Sequence, residues 1–314
     1  MNRIFHLNFM AVLLSLCPHV HAAGCEDAVF SYNNVGNNEL PLEMTQLVRF
    51  PAGNFQMGGD RKVNVELTHS FAGKLNVVTQ AEWVQVMGEN PAHFAKGPHS
   101  ISIAVKGQRV TMQPNHPVEN ISWWSAIVFA NRISEKAGLK PAFDVSAITF
   151  EGRAENGTLD AVSGKLKINA PNGDIYLAEG YRLPTEAETE YVLRDFGKGN
   201  GDFPNGLNES TISQVAWINE NSNGTTQPVG VKTMMRNGQA MGDLVGNVWQ
   251  WQYDVYGDLS GGSNPQGPAA GSIRVCRGGS WCDLARFCRS AFRDFWGPDD
   301  RGSSLGFRLV RTIH

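Results

Sequence analysis

The chain has 314 residues, 41% hydrophobic and 18% charged, which is the composition of an ordinary globular protein with a sizeable core in one large domain or two. Its net charge is −3. With no basic run to neutralise phosphates along a duplex, a nucleic-acid footprint is excluded.

In chain order, the first element is a leader. Arg3 supplies a positive start, Phe9 to Leu16 an apolar stretch, and Val20-His21-Ala22 a small-residue cleavage signature, so residues 1–22 read as a secretory signal peptide. The apolar stretch is far shorter than a membrane span. Export follows, to a periplasmic, secreted or outer-surface location, and loss of Arg3 takes the net charge from −3 to −4. Ala22-Ala23-Gly24-Cys25 also resembles a lipoprotein signal, which would make Cys25 a lipidated membrane anchor. Of five cysteines Cys17 leaves with the signal. Cys25, Cys276, Cys282 and Cys288 can then pair in three ways. In an oxidising compartment one disulfide among the last three is the expectation, with free or metal-bound thiols the alternatives.

Residues 23–46 are polar and Asn-rich and read as an N-terminal leader to a domain over 47–314. Leu47 to Gly59 alternates, breaks at Pro51-Ala52-Gly53 and resumes, predicting a strand, a turn and a second strand as an opening hairpin. Val63 to Phe71 alternates again. Thr79 followed by Glu82, apolar residues at helical spacing and Gly88 predicts a short helix. Ser122 caps a second, with Ala126, Phe129, Ala130 and Ile133 on one face and Gly138 ending it. Residues 144–180 are Gly-, Asn- and Thr-rich and read as a surface insertion built as a hairpin. Thr185 caps a third helix with Glu188 at the capping-box position. Its acids suit the positive end of a helix dipole and need no catalytic explanation.

The segment from Arg274 to Arg311 is different. It mixes frame-like pieces (Gly278-Gly279-Ser280-Trp281, Cys288 to Ala291, Leu305 to Arg308) with residues that follow neither a helical nor a strand period. That is the pattern of a rigid frame carrying a functional face.

Six blocks appear in one order: Phe55 to Gly58, Pro117 to Trp123, Tyr181 to Glu188, Gly246 to Trp251, Arg277 to Trp281, and Leu305 to Arg308. In that order the sequence resembles the formylglycine-generating enzymes of the sulfatase-modifying-factor family, over about residues 47–311. The resemblance implies an α+β fold: a single irregular C-type-lectin-like domain with short strands, a few short helices and many ordered loops. A count of 34 glycines and 15 prolines suits such chain paths.

The resemblance raises three metals. The enzymes hold copper between two cysteines, the first three residues beyond the serine of the Gly-Gly-Ser block and the second five later, because soft thiolates select Cu(I). Here Cys288 fits the second position, but Asp283 stands at the first and Cys282 falls one residue early. In an extended segment that shift turns the side chain to the opposite face, unless a bulge restores it. Relatives that make sulfur-histidine compounds carry an iron-binding histidine cluster, whereas His69, His93, His99, His116 and His314 include no close pair of helical spacing. The Gly-Asn-x-Trp-Glu-Trp block contributes to a structural calcium site. Asn247 matches it and Gln250 replaces the glutamate, keeping an oxygen and losing a charge.

The C-terminal segment also resembles the variable region of diversity-generating-retroelement proteins, which display changeable residues on this frame. The changeable positions correspond to Cys282, Asp283, Leu284, Phe287, Phe292, Asp294, Phe295, Gly297, Asp300, Gly302, Ser303 and Ser304. All are reachable from an AAC codon by changing its adenines, and Trp296 is not. The expectation is an exported, non-catalytic module that binds an unknown protein or small-molecule ligand through residues 282–304, with Phe287, Phe292, Phe295 and Trp296 as aromatic anchors. Alternatives are a copper-dependent oxidase using Cys282 or Cys288, or a periplasmic tailoring or regulatory relative.

Overall fold

The computed structural model describes residues 46–314. The signal peptide, Cys25 and all of the leader but Gln46 lie outside the described residues.

Strand Leu47–Phe50 pairs antiparallel with Phe71–Lys74, and Phe71–Lys74 pairs antiparallel with Val310–Thr312. The two ends of the described chain thus share one sheet. The opening hairpin is not the expected one. Gly53–Met57 belongs to another sheet, paired with Val63–Leu67, to which Gly262–Ser263 adds in parallel. The physical reason lies in the packing. Phe50 meets Phe71 at 5.0 Å between ring centroids, whereas Phe55 meets Tyr191 at 5.3 Å, so Pro51-Ala52 carries the chain from one sheet to the next. The alternation read over Val63 to Phe71 likewise divides between two strands, Val63–Leu67 and Phe71–Lys74.

Three α-helices occur among the described residues, each with its expected cap. In α1, Gln80–Met87, the Thr79 hydroxyl accepts from Glu82 N at 3.2 Å and the Glu82 carboxylate accepts from Thr79 N at 2.7 Å. Gly88 then takes a left-handed φ of 94° to end the helix. Helix α2, Trp123–Lys136, is capped by Ser122, and α3, Glu186–Leu193, by the Thr185/Glu188 box. Within the segment 144–180 two strand pairs nest, Phe143–Asp144 with Lys167–Ile168 outside and Thr149–Glu151 with Asp160–Ser163 inside.

A four-stranded sheet orders Asp294–Trp296, Arg274–Arg277, Trp249–Val255 and Leu305–Gly306, the last pairing in parallel. Between it and the first two helices sits an aromatic core. Trp83 stacks on Phe129 at 5.2 Å, Phe307 meets both edge-on, and Trp123 and Trp251 are fully buried. Such rings dominate core energetics. The result is the mixed α+β arrangement of short strands, few helices and ordered loops.

Helix α3 is tied to this sheet by charge. Glu188 receives both guanidinium nitrogens of Arg182 at 2.7 Å, and Glu190 receives Arg277 at 2.5 Å and Arg194 at 2.7 Å. Glu186 receives Arg293 at 2.5 and 2.8 Å. All three acids are buried, and these internal donors take up their carboxylates.

Candidate functional site

From Arg274 onward the chain alternates between depth and surface. The strand Arg274–Arg277 delivers a buried Arg277, and Gly278 and Gly279 turn the chain with φ of 100° and 75°. At Gly279 a Cβ would lie 3.0 Å from the Cys288 sulfur, so the backbone there rests against the thiol and glycine is needed on both counts. Ser280 is buried, Cys282 and Leu284 are exposed, and the short 3₁₀ turn Ala285–Cys288 brings the chain back so that Cys288 and Ser290 are buried. Residues 291–304 then run along the surface until Leu305 to Val310 re-enter the core.

Each candidate contact residue has a definite place. Leu284 and Phe295 are 50% and 48% exposed, and Asp300 is exposed. Asp283, Phe287, Phe292, Asp294, Trp296, Ser303 and Ser304 are half-buried. Phe287 and Phe292 meet edge-to-face at 4.8 Å, and Phe295 packs on Tyr256 at 4.7 Å. Arginines cover these rings: Arg286 lies 4.9 Å from the Phe287 centroid, Arg289 5.5 Å from Phe292, and Arg293 4.5 Å from Tyr256. Sequence reasoning did not single out these arginines or Tyr256. Tyr256 comes from beyond the end of a strand distant in sequence, and no local pattern announces it.

The cysteines require one correction. Cys276, Cys282 and Cys288 are all free, so the expected disulfide does not form. Cys276 and Cys288 are buried in the core while Cys282 faces solvent. Nor do Cys282 and Cys288 form a thiolate pair. Asp283 is the residue beside Cys288: burial, and then the Asp283 carboxylate, push the Cys288 thiol up to about 12. Asp283 itself accepts from the Ser280 hydroxyl and the Trp249 indole, and burial raises its carboxyl above the usual range. A hard carboxylate beside one protonated thiol does not fit Cu(I), which needs two soft donors together.

The calcium candidates do not fit either. The Asn247 side-chain oxygen accepts from Gln227 N at 3.0 Å, and its amide donates to Gln227 O and to Asp243 at 2.9 Å. Gln250 Oε1 accepts from Arg308 Nε at 3.1 Å, placing a guanidinium where a cation-bound oxygen would have to face its ion. Both oxygens already serve internal donors.

One buried acid beneath this region went unnoticed in the sequence. Glu119 accepts from Phe94 N at 2.8 Å through one oxygen, and its other oxygen has no partner. Burial pushes its carboxyl up to about 8. It sits under the face because Asn120 N bonds Gly302 O at 2.9 Å and Phe94 meets Trp281 at 5.2 Å.

Residues 32–313 match the sulfatase-modifying factor enzyme 1-like domain family. The chain is 28% identical over 264 residues to the chaperone protein LppX of Paenibacillus barcinonensis, a match that covers 79% of this chain and 82% of the relative. It is 28% identical over 297 residues to the formylglycine-generating enzyme of Mus musculus, covering 86% and 76%. Among solved structures, Treponema denticola variable protein 1 aligns at a TM-score of 0.66 and 31% identity, covering 85% of this chain and 95% of that one.

Proposed function

Because the chain belongs to the sulfatase-modifying factor enzyme 1-like family, we propose that it is an exported, non-catalytic member that binds a protein or small-molecule ligand through the face built by residues 282–304. The observation that carries this reading is the division of the C-terminal segment. Frame residues Cys276 to Ser280, Cys288, Ser290 and Leu305 to Val310 are buried, and each candidate contact residue between them is exposed or half-buried. Residues on such a face can be exchanged with little cost to the fold. The aromatic rings and the arginines that cover them are the residue types that dominate binding hot spots. The likeness to a variable protein in Treponema denticola and the chaperone name of the Paenibacillus relative are in keeping with a contact role.

The test is genetic and then chemical. Sequencing the 3′ coding region and its flanks across many isolates is expected to find variation confined to codons 282–304, together with a near-copy repeat carrying adenines at those codons. Variation spread evenly through the domain, or no template copy, overturns diversified display. Cu(I) titration of the reduced protein is expected to give no stoichiometric binding; stoichiometric binding abolished by Cys288→Ser would restore the oxidase.

A further inference from the structure

A cleft of about 1050 Å³ lies on the sheet that joins the two ends of the described chain, and it shares no lining residue with the face at 282–304. Two of its cations are placed by register. Arg49 and Arg311 sit opposite Ala72 from either side, on Leu47–Phe50 and Val310–Thr312. Residues directly opposite in antiparallel pairs share a face, so both arginines and the Ala72 methyl point the same way. Their Cα atoms are two strand spacings apart, about 10 Å. The neighbours Phe50, Phe71 and Thr312 are buried on the core face. Lys140, in the loop after α2, and Asn169 line the same cleft, and Glu179 is the one acidic side chain among the described lining residues.

Three cations therefore converge on one concavity, and among the described residues none of them makes an ion pair. Arg311 is held in place by Tyr181, whose ring lies 5.9 Å from the guanidinium carbon and whose hydroxyl receives a hydrogen bond from it. The Arg311 Nε is buried and has no hydrogen-bond partner. Three cations gathered around one acidic side chain leave the cleft with a net positive charge, and like charges repel. An anion would offset that charge.

We infer that this cleft binds a phosphate group, with Arg49 and Arg311 as two planar forks and Lys140 as a point charge. A carboxylate has two oxygens and is satisfied by one fork. A phosphate has more oxygens and matches two guanidinium groups and an ammonium together. The group can come from free phosphate or from a phospholipid headgroup.

The test uses the full chain after removal of the leader signal, at low ionic strength, where surface charges are least screened. One arm is calorimetric titration with inorganic phosphate against chloride at matched ionic strength. The other is co-sedimentation with phosphatidylglycerol-containing vesicles against pure phosphatidylcholine. Binding in the first arm alone assigns the site to free phosphate, and selective binding in the second alone assigns it to headgroups. Arg49→Gln combined with Lys140→Gln alters two exposed side chains and is expected to weaken whichever binding is seen about tenfold or more. Binding in neither arm, or binding undiminished in the double variant while its unfolding temperature in chloride matches the parent, overturns the inference.

Discussion

Two buried carboxyls set a residue-scale dependence on pH. Glu119 and Asp254 are each pushed up to about 8, in both cases first by burial, and for Asp254 then by neighbouring Glu186, although Asp254 accepts Glu186 N at 2.7 Å. An acid whose folded value lies above its ordinary one stabilises the fold most while protonated, below the ordinary value. That contribution is lost as pH rises through the folded value. Both groups therefore make the protein lose stability as pH rises to about 8, Glu119 from its ordinary value of 4.5 and Asp254 from 3.8. Glu119→Gln keeps an acceptor for Phe94 N and removes the titration. From pH 5 to 8.5 the unfolding temperature of the variant should move in its favour, relative to the parent, by at least about 2–4 °C. Parallel curves across that range would show that Glu119 does not titrate. At this same scale the one-residue offset of Cys282 was legible from spacing alone, because side chains alternate along an extended segment. The state of Glu119 was not, since a Glu in a Pro-Val-Glu-Asn run carries no sign of its depth.

Helix α3 shows what an element carries within itself and what it borrows. Thr185, Glu188 and the short apolar pattern announce its start, and the dipole accounts for acids in its first turn. It does not account for Glu190, which lies past that turn and gathers Gly58 N at 2.8 Å, Arg194 and Arg277. At the other end, Arg236 arrives from the strand Thr233–Arg236 to donate to Val192 O at 2.5 Å and Leu193 O at 3.0 Å, carbonyls of the last helical turn. Glu190→Ala should cost about 3–5 kcal/mol, because it strands a buried guanidinium and a backbone donor. Urea unfolding measures this, and adding Arg277→Met should recover part of the loss. A cost below about 1 kcal/mol would mean that the network is not closed. The opening hairpin failed for a related reason: alternation in Leu47–Phe50 and Gly53–Met57 identifies strands but not which strand each one pairs with.

Over the whole molecule, stability and contact are assigned to different sets of residues. Leu284→Ala and Phe295→Ala should each change the stability measured by urea unfolding by about 0.5 kcal/mol or less, as surface substitutions do. Phe307→Ala, which removes a fully buried ring meeting both Trp83 and Phe129, should cost about 3–5 kcal/mol. Equal costs would place the face inside the core. By itself the sequence determined the helix caps, the ordered blocks that mark the family, and the offset that puts Asp283 where a copper thiol would stand. These are local matters of spacing, which the period of a helix or strand converts directly into direction. Tertiary structure alone decided that the three cysteines stay apart, that Asn247 and Gln250 serve internal donors, and that Arg49 and Arg311 flank Ala72 although they lie at opposite ends of the described chain. Those outcomes depend on which distant segments meet, and long-range pairing is chosen by the packing of the whole core.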